Sequence, residues 1–472
     1  MVFSSVFFLF CFLPVFLGIY YITPFKHRSW VILLGSYAFY AWWRVDFLLL
    51  FIGVTLWNYL FGIYIARSRN QKSSTTNKAK PLLVVAIIGN LSTLGYFKYA
   101  DFGINNLNLL LNKLGASPLP LADIILPIGI SFYTFQAISY VVDVYRGDTP
   151  PTKRLVDFAA FIALFPQLIA GPVLRYKDLA DQFEHREHNI RIFSEGSCLF
   201  MIGFAKKVLI ADSVAPIANA AFNTAAISSF DAWIGAFAYS IQLYFDFSGY
   251  SDMACGLGLM MGFRFIQNFD HPYVSLSITE FWRRWHISLS TWLRDYLYIP
   301  LGGNRGGKIT TYRNLFLTML LGGLWHGANW TFVFWGALHG TALAIEKMFS
   351  ATQPSSFRLL RYVVTMFIVI IGWIAFRADD LSIAVSFYQS MLGIHDAVPI
   401  GSTFGEINTR SFIFLIAALL IVALENMKRQ NISLIPQHVT RYAQPVLLLP
   451  IFVMAVSKLV ASNYSPFLYF QF

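Results

Sequence analysis

Apolar runs recur along the whole chain, and no other feature restricts its fold as strongly. They cover Val2 to Thr23, Trp30 to Trp43, Phe47 to Ala66, Pro81 to Tyr99, Ile124 to Val144, Leu315 to Phe334, Tyr362 to Phe376, Phe412 to Leu424 and Val446 to Val460. A helix needs about 20 apolar residues to cross the hydrocarbon of a bilayer; several of these runs reach that length and others fall short. Charged residues supply only 12% of the chain, roughly half the share of a soluble domain, so an ordinary globular core does not account for the runs. The fold class expected is an all-α polytopic membrane protein. Roughly ten to twelve transmembrane helices are expected, with further segments that enter the bilayer without crossing it or lie at its surface.

The first run lacks the basic start and small-residue cleavage site of a signal peptide, and more runs follow at once, so it reads as a retained helix. With no long polar stretch and no internal repeat, residues 1–472 read as a single integral-membrane domain. The net charge of +11 would point to nucleic acid in a soluble protein, but here the basic residues sit in short loops beside apolar segments, and no nucleic-acid partner is expected. Lys26 and Arg28, then Arg67, Arg69, Lys72, Lys78 and Lys80, then Arg146, Lys153 and Arg154, are separated by pairs of runs. The positive-inside rule places those loops in the cytoplasm and the N-terminus outside. Cys11, Cys198 and Cys255 are far apart, without CxxC spacing, and read as packing residues rather than a disulfide or metal framework.

Polar groups are costly inside a bilayer, so those that interrupt the runs carry information. In LPIGISFYTFQAISYVVDVYRGDTP, Gln136 and Asp143 lie within a span whose flanking Gly and Pro predict a bent start and a defined stop. FPQLIAGPVLRY, broken by Pro166, Gly171 and Pro172, reads as a segment that dips in and returns, or as kinked scaffold. In QLYFDFSGYSDMACGLGLMMGF, Asp246 and Asp252 fall on different faces of a helix, which favours polar caps at a helix junction over a paired acid and base. The stretch SITEFWRRWHISLSTWLRDYLYIPLGGNRGGK opens with Ser277 and Glu280 in a capping-box arrangement. It continues with Ile278, Phe281, Trp282, Trp285, Leu289, Trp292, Leu293 and Tyr296 along one helical stripe. Arg283, Arg284, Ser290, Arg294 and Asp295 lie opposite. Such a helix suits the membrane interface, either as inert packing or with its arginines facing a phosphorylated ligand. GGNRGGKI lacks the Ser/Thr of a phosphate-binding loop and reads as a glycine-rich turn.

Two histidines, His326 and His339, are the most deeply set in apolar sequence, whereas His27, His185, His188, His395 and His438 have polar or loop surroundings. On a continuous helix the thirteen residues between the first two correspond to ~220° and ~20 Å, so they are not expected to share a ligand, and no metal site is expected. In LGGLWHGANW, Asn329 shares a helical face with His326, and Gly322, Gly323 and Gly327 clear space for a close approach. A neutral imidazole in a mostly dry site suits a general base, worth about 10²–10⁴ in rate; a satisfied structural role is the alternative.

Taken together, MVFSS, SYAFYAWWRVDF, LPIGISFYTFQAISYVVDVYRG, FPQLIAGPVLRY, YFDFSGYSDMA, SITEFWRRWHISLSTWLRDYLYIPLGGNRGG and LGGLWHGANWTFVFWG resemble the membrane-bound O-acyltransferase family. Within it the chain looks like the branch that O-acetylates alginate, related to the D-alanyl transfer proteins. The likeness spans nearly the whole length, although the part past about Asp380 carries little that is diagnostic. It implies spanning helices around a central funnel or channel, with the family's catalytic histidine at His326 and its second histidine, that of the WRRWH motif, at His286. His339 has a weaker claim. The resemblance also implies acyl transfer from a thioester, acetyl-CoA in the cytoplasm, to a hydroxyl of a periplasmic exopolysaccharide. It further implies periplasmic acetylation partner proteins and a bacterial inner-membrane location. Arg283, Arg284 and Arg294 become candidates for the CoA phosphates, and Asn329 for orienting the base. A non-catalytic export channel and acylation of another surface glycan are the rival readings.

Overall fold

The computed structural model describes residues 1–70, 78–121, 123–169, 171–349, 357–394, 398–429 and 437–462. Lys72, His395 and the side chain of His438 lie outside the described part. Regular structure among these residues is entirely helical. In chain order the helices are α1 (Leu13–Ile22), α2 (Arg28–Ala41), α3 (Asp46–Asn70), α4 (Ala79–Leu94), α5 (Ala100–Lys113), α6 (Ile130–Arg146), α7 (Leu155–Ala163), α8 (Phe165–Leu168), α9 (Tyr176–Glu184) and α10 (Ile190–Ala205). Then follow α11 (Asp212–Asn223), α12 (Ser229–Met260), α13 (Ile278–Arg284), α14 (Ile287–Leu293), α15 (Gly307–His326), α16 (Trp330–Phe349), α17 (Arg358–Arg377), α18 (Leu381–Met391), α19 (Thr409–Arg429) and α20 (Gln437–Ser462).

By length and apolar content alone, Asp46–Arg69, Ala79–Lys113 and Arg358–Arg377 suffice to cross a bilayer; Phe8–Ile22 and Leu448–Ser462 are shorter apolar helices. Other long helices are less uniformly apolar because they bury polar side chains within protein, as α12 does with Gln242, Asp246, Ser248 and Ser251. The chain forms two compact units, Met1–Ser197 with Ala254–Ile266, and Cys198–Met253 with Gln267–Phe472.

The first unit packs around a phenylalanine cluster. Phe16 and Phe165 meet edge to face with centroids 5.0 Å apart, and Phe3, Phe8, Phe12 and Phe39 extend the cluster. Some of the polar groups inside this unit pair with one another. Asn58 on α3 and Asn90 on α4 exchange amide hydrogen bonds of 2.9 and 2.7 Å, and Gln167 Nε2 donates to Gln136 Oε1 at 3.1 Å. Helix α6 is buried on almost every side and is bounded by Gly129 (φ +74°) and Gly147 (φ +86°), left-handed positions that glycine adopts freely. The bent start and defined stop predicted for this segment are therefore present, although the helix begins only at Ile130. Asp143 near its end pairs with Lys177 at 3.3 Å. The FPQLIAGPVLRY segment forms the short buried α8, and its described residues 171–175 are not helical before α9 begins.

In the second unit, Asp246 and Asp252 cap nothing, contrary to the junction expected there, because α12 continues through both. Lys207 Nζ lies 2.6 Å from Asp246 Oδ1 and 2.6 Å from Asp212 Oδ1, while Lys206 pairs with Asp252 at 2.7 Å. The two lysines sit where α10 gives way to a π-helical stretch, Lys206–Ala211. Gly203 and Gly249 let the two backbones approach closely enough for these pairs to form; a Cβ on Gly249 would lie 2.6 Å from the Gly203 carbonyl.

Helices α15 and α16 form a hairpin where the sequence pattern predicts one run from Leu315 to Phe334. α15 stops at His326 because Gly327 is extended (φ −160°, ψ 152°), and α16 resumes at Trp330 after Asn329 Oδ1 accepts from the Thr331 N–H at 3.1 Å. Of the glycines expected to leave a clearing, Gly323 and Gly327 are filled by the hairpin itself, whereas a Cβ at Gly322 would meet only the end of the Leu293 side chain, at 3.2 Å. A Cβ at Gly323 would overlap the Phe332 carbonyl, one at Gly327 the Phe332 ring, and one at Gly336 would stand 2.5 Å from the Met319 carbonyl.

Candidate active site

The hairpin and the α13–α14 segment, both in the second unit, bring three histidines into one aromatic cluster. His326 closes α15, where its ring is 6% exposed and meets Trp325, Trp335 and Phe376 edge to face at 5.0, 5.1 and 5.2 Å. Trp335, one of the largest wholly buried side chains, also contacts His339 at 5.0 Å. The separation inferred for a continuous helix does not apply: the turn at Gly327–Asn329 folds the chain back, and one indole touches both rings. Trp282 Nε1 donates to His339 Nδ1 at 3.4 Å. A ring so engaged by Trp282, Trp335 and Phe281 is set in packing.

Asn329 does not share a helical face with His326, because α15 has ended before it. Its Nδ2 donates to the Asp379 carbonyl at 2.7 Å while its Oδ1 caps α16.

The segment from Ser277 is not one amphipathic helix. Ser277 Oγ accepts from the Glu280 N–H at 3.0 Å, as a capping box requires, but the Glu280 carboxylate accepts from the Leu276 N–H at 2.9 Å, one residue early. α13 ends at Arg284, His286 takes a left-handed backbone (φ +45°, ψ 53°), and α14 continues as a π-helical turn, Arg294–Tyr298. The break at 285–286 reorients the stripe. Trp282, Trp285, Leu289, Trp292 and Leu293 are all buried by protein rather than presented to lipid. Trp285 stacks on Phe281 at 5.6 Å and packs on Trp373 at 4.8 Å.

The same break separates the arginines expected to form one cationic face. Arg284 is neutralised by Glu280 (3.1 Å) and Asp270 (2.8 Å), and the exposed Arg294 pairs with its neighbour Asp295 at 2.7 Å. Arg283, exposed on the last turn of α13, is in no ion pair among the described residues.

His286, the histidine of the WRRWH motif, is fully buried at the break. Its Nδ1 stands 3.2 Å from Asn268 Oδ1, its ring meets Phe247 edge to face at 4.7 Å, and Trp325 lies at 6.3 Å, so a single indole separates it from His326. Asn268, in the loop after α12, escaped the sequence reading because a lone Asn in QNFDHP carries no periodic or spacing signal. Among the described residues no three His, Cys, Asp or Glu side chains converge as a metal site.

Residues 149–387 match the sequence model of MBOAT, the membrane-bound O-acyltransferase family, a stretch that contains all three histidines. The chain is 50% identical, over the full length of both proteins, to a "Probable alginate O-acetylase AlgI" of Pseudomonas syringae pv. tomato. It is 39% identical to a "Peptidoglycan O-acetyltransferase" of Helicobacter pylori, over 84% of this chain and 80% of that protein. It is also 29% identical to a "Teichoic acid D-alanyltransferase" of Streptococcus thermophilus, over 46% of this chain and 56% of that one. With its helical architecture, its apolar spans and its histidine cluster in the matched region, this chain belongs to the membrane-bound O-acyltransferase family.

Proposed function

We propose that the chain is a multi-pass enzyme of the bacterial inner membrane that transfers acetyl from cytoplasmic acetyl-CoA to a hydroxyl of a periplasmic polysaccharide, alginate being the acceptor favoured. Residues 1–472 act as one such enzyme, with periplasmic partner proteins delivering the group to the polymer, and a passage through the membrane gives both substrates access to His326. The observation that carries the reading is the position of His326: it closes α15 against Trp325, Trp335 and Phe376, one indole away from His286.

A thioester is already activated, so the slow element is an alcohol that attacks poorly. His326 takes the hydroxyl proton as the oxygen attacks the acetyl carbonyl; the C–S bond breaks, and the departing thiolate recovers a proton as CoA thiol. The imidazolium formed in between lies at the C-terminal end of α15, where the helix carries partial negative charge. Arg283 is the favoured contact for the CoA phosphates, since Arg284 and Arg294 already have carboxylate partners. Asn329, tied to Asp379 and to α16, holds the hairpin turn that places the ring.

The test is the acetyl content of surface polymer in a strain lacking this chain and complemented with native protein, His326→Ala or His326→Gln. Loss of O-acetyl groups with both variants at normal membrane levels supports the base; full acetylation by either rules it out. The relative named for peptidoglycan supplies the second acceptor to assay in the same strains.

A further inference from the structure

We propose that Asn268 is a positioning residue that fixes the tautomer of His286, so that the ring presents Nε2 as a hydrogen-bond acceptor to a hydroxyl group of the substrate. The inference rests on the acyl-transfer reading above, because it gives His286 a task in that reaction.

The argument begins from a group whose role is unambiguous. The backbone N–H of Ser288 can only donate, and it lies 3.1 Å from Asn268 Oδ1. This bond orients the amide with its oxygen, not its NH2, toward the 286–288 turn, and Ser288 Oγ donates to the same oxygen at 2.9 Å. His286 Nδ1 faces that oxygen at 3.2 Å. A carbonyl oxygen offers only lone pairs, so Nδ1 must carry the proton, and in a neutral imidazole Nε2 is then the bare acceptor.

Three further features show that the arrangement is held in place. The Ile287 N–H donates to the backbone carbonyl of Asn268 at 2.9 Å, so main chain and side chain of one residue together clamp the turn. Phe247 meets the imidazole at 89°, which fixes the ring plane. His286 occupies a left-handed backbone at φ +45°, a conformation that non-glycine residues adopt rarely and that clusters at functional sites. Against this rigid background, Nε2 is buried and has no hydrogen-bond partner among the described residues. Buried acceptors are almost always satisfied, so one locked in orientation and left bare points to a donor brought by a ligand. A second hydroxyl of a polyol acceptor supplies that donor, and accepting its hydrogen bond would orient the acceptor while the attacking hydroxyl keeps its own proton for His326.

The first arm of the test is 15N NMR of histidine-labelled full-length protein in lipid nanodiscs at neutral pH, with His286 assigned by its loss in His286→Asn. The expected spectrum has a protonated Nδ1 and an unprotonated Nε2. The opposite tautomer, or protonation of both nitrogens, overturns the proposal.

The second arm is kinetic. Asn268→Asp keeps an oxygen acceptor for Nδ1 and should retain turnover, with the acidic limb of the pH–rate profile displaced upward because a carboxylate favours the imidazolium. Asn268→Leu should lower kcat about tenfold or more while KM for acetyl-CoA stays within about threefold. Equal loss in both variants, or a change confined to KM, overturns the proposal. If Asn268→Leu fails to fold, the NMR arm and Asn268→Asp still decide. The NMR arm reads no acetyl transfer, so a wrong tautomer and a wrong overall reaction are told apart.

Discussion

Lys207 Nζ stands 2.6 Å from the carboxylate of Asp246, and both side chains are almost wholly enclosed by protein. Breaking such a pair costs up to about 3–5 kcal/mol, most when the shared lysine is lost, since Lys207 keeps Asp212 at 2.6 Å when Asp246 is removed. Asp246→Ala and Lys207→Met should each lower the thermal midpoint of the purified protein steeply. Asp252→Ala should do so much less, because the Lys206–Asp252 pair is partly open to solvent. Equal shifts for Asp246→Ala and Asp252→Ala in a thermal scan would contradict this ranking.

The α15–α16 hairpin should be intolerant of methyl groups. Gly336→Ala places a Cβ against the Met319 backbone, and since backbone atoms move less readily than side-chain ends, about 1–3 kcal/mol should be lost. Gly53→Ala on α3, where nothing lies within 4 Å, is the control and should leave stability unchanged. Both are read by the same thermal scan, together with the yield of folded protein on size exclusion.

Trp335 supports His326 and His339 at once. Trp335→Phe keeps part of the packing and should reduce acetyl transfer while the protein still folds. Trp335→Ala opens a cavity costing about 3–5 kcal/mol and should reduce both transfer and membrane abundance. Quantitative blotting beside the polymer acetyl assay separates the two effects.

His271, in the loop between α12 and α13, gains a carboxylate partner. Its hydrogen bond to Glu425, at 3.1 Å, holds the imidazolium above the ordinary histidine range. A group whose pKa is raised on folding stabilises the fold below its unfolded value near 6.5, and that contribution disappears as pH rises through the folded value. Stability should therefore decline slightly from pH 6 upward into the alkaline range, the effect being small because His271 is half exposed. Glu425→Gln should flatten this part of the profile, and a thermal midpoint measured at several pH values checks it.

The membrane class and the helical character were legible in the sequence because hydrocarbon imposes length and apolarity on each segment independently. The ends of α6 were legible too, since Gly129 and Gly147 act through local backbone geometry. The breaks were harder to read. Nothing in the spacing of WRRWHISLS distinguishes a continuous stripe from two helices joined at a left-handed His286, because apolar residues continue on both sides. Likewise WHGAN reads as helix until the extended Gly327 is seen. Asp246 and Asp252 were misread because their partners, Lys207 and Lys206, lie some forty residues earlier, and a single sequence carries no trace of such pairing. The resemblance singled out His326 and His286, but their closeness, and that of His339, became visible only once the hairpin had folded back.

Asn58 and Asn90 bear on the unit in which they sit. Helices α3 and α4 are otherwise apolar along much of their lengths, and smooth aliphatic surfaces pack almost equally well at several offsets. The reciprocal amide contact removes that freedom, since a slip of one turn, ~5.4 Å, would strand four polar groups away from water. These two carboxamides thus serve as a register key for the helix pair, selecting one alignment from many that greasy contact alone would allow.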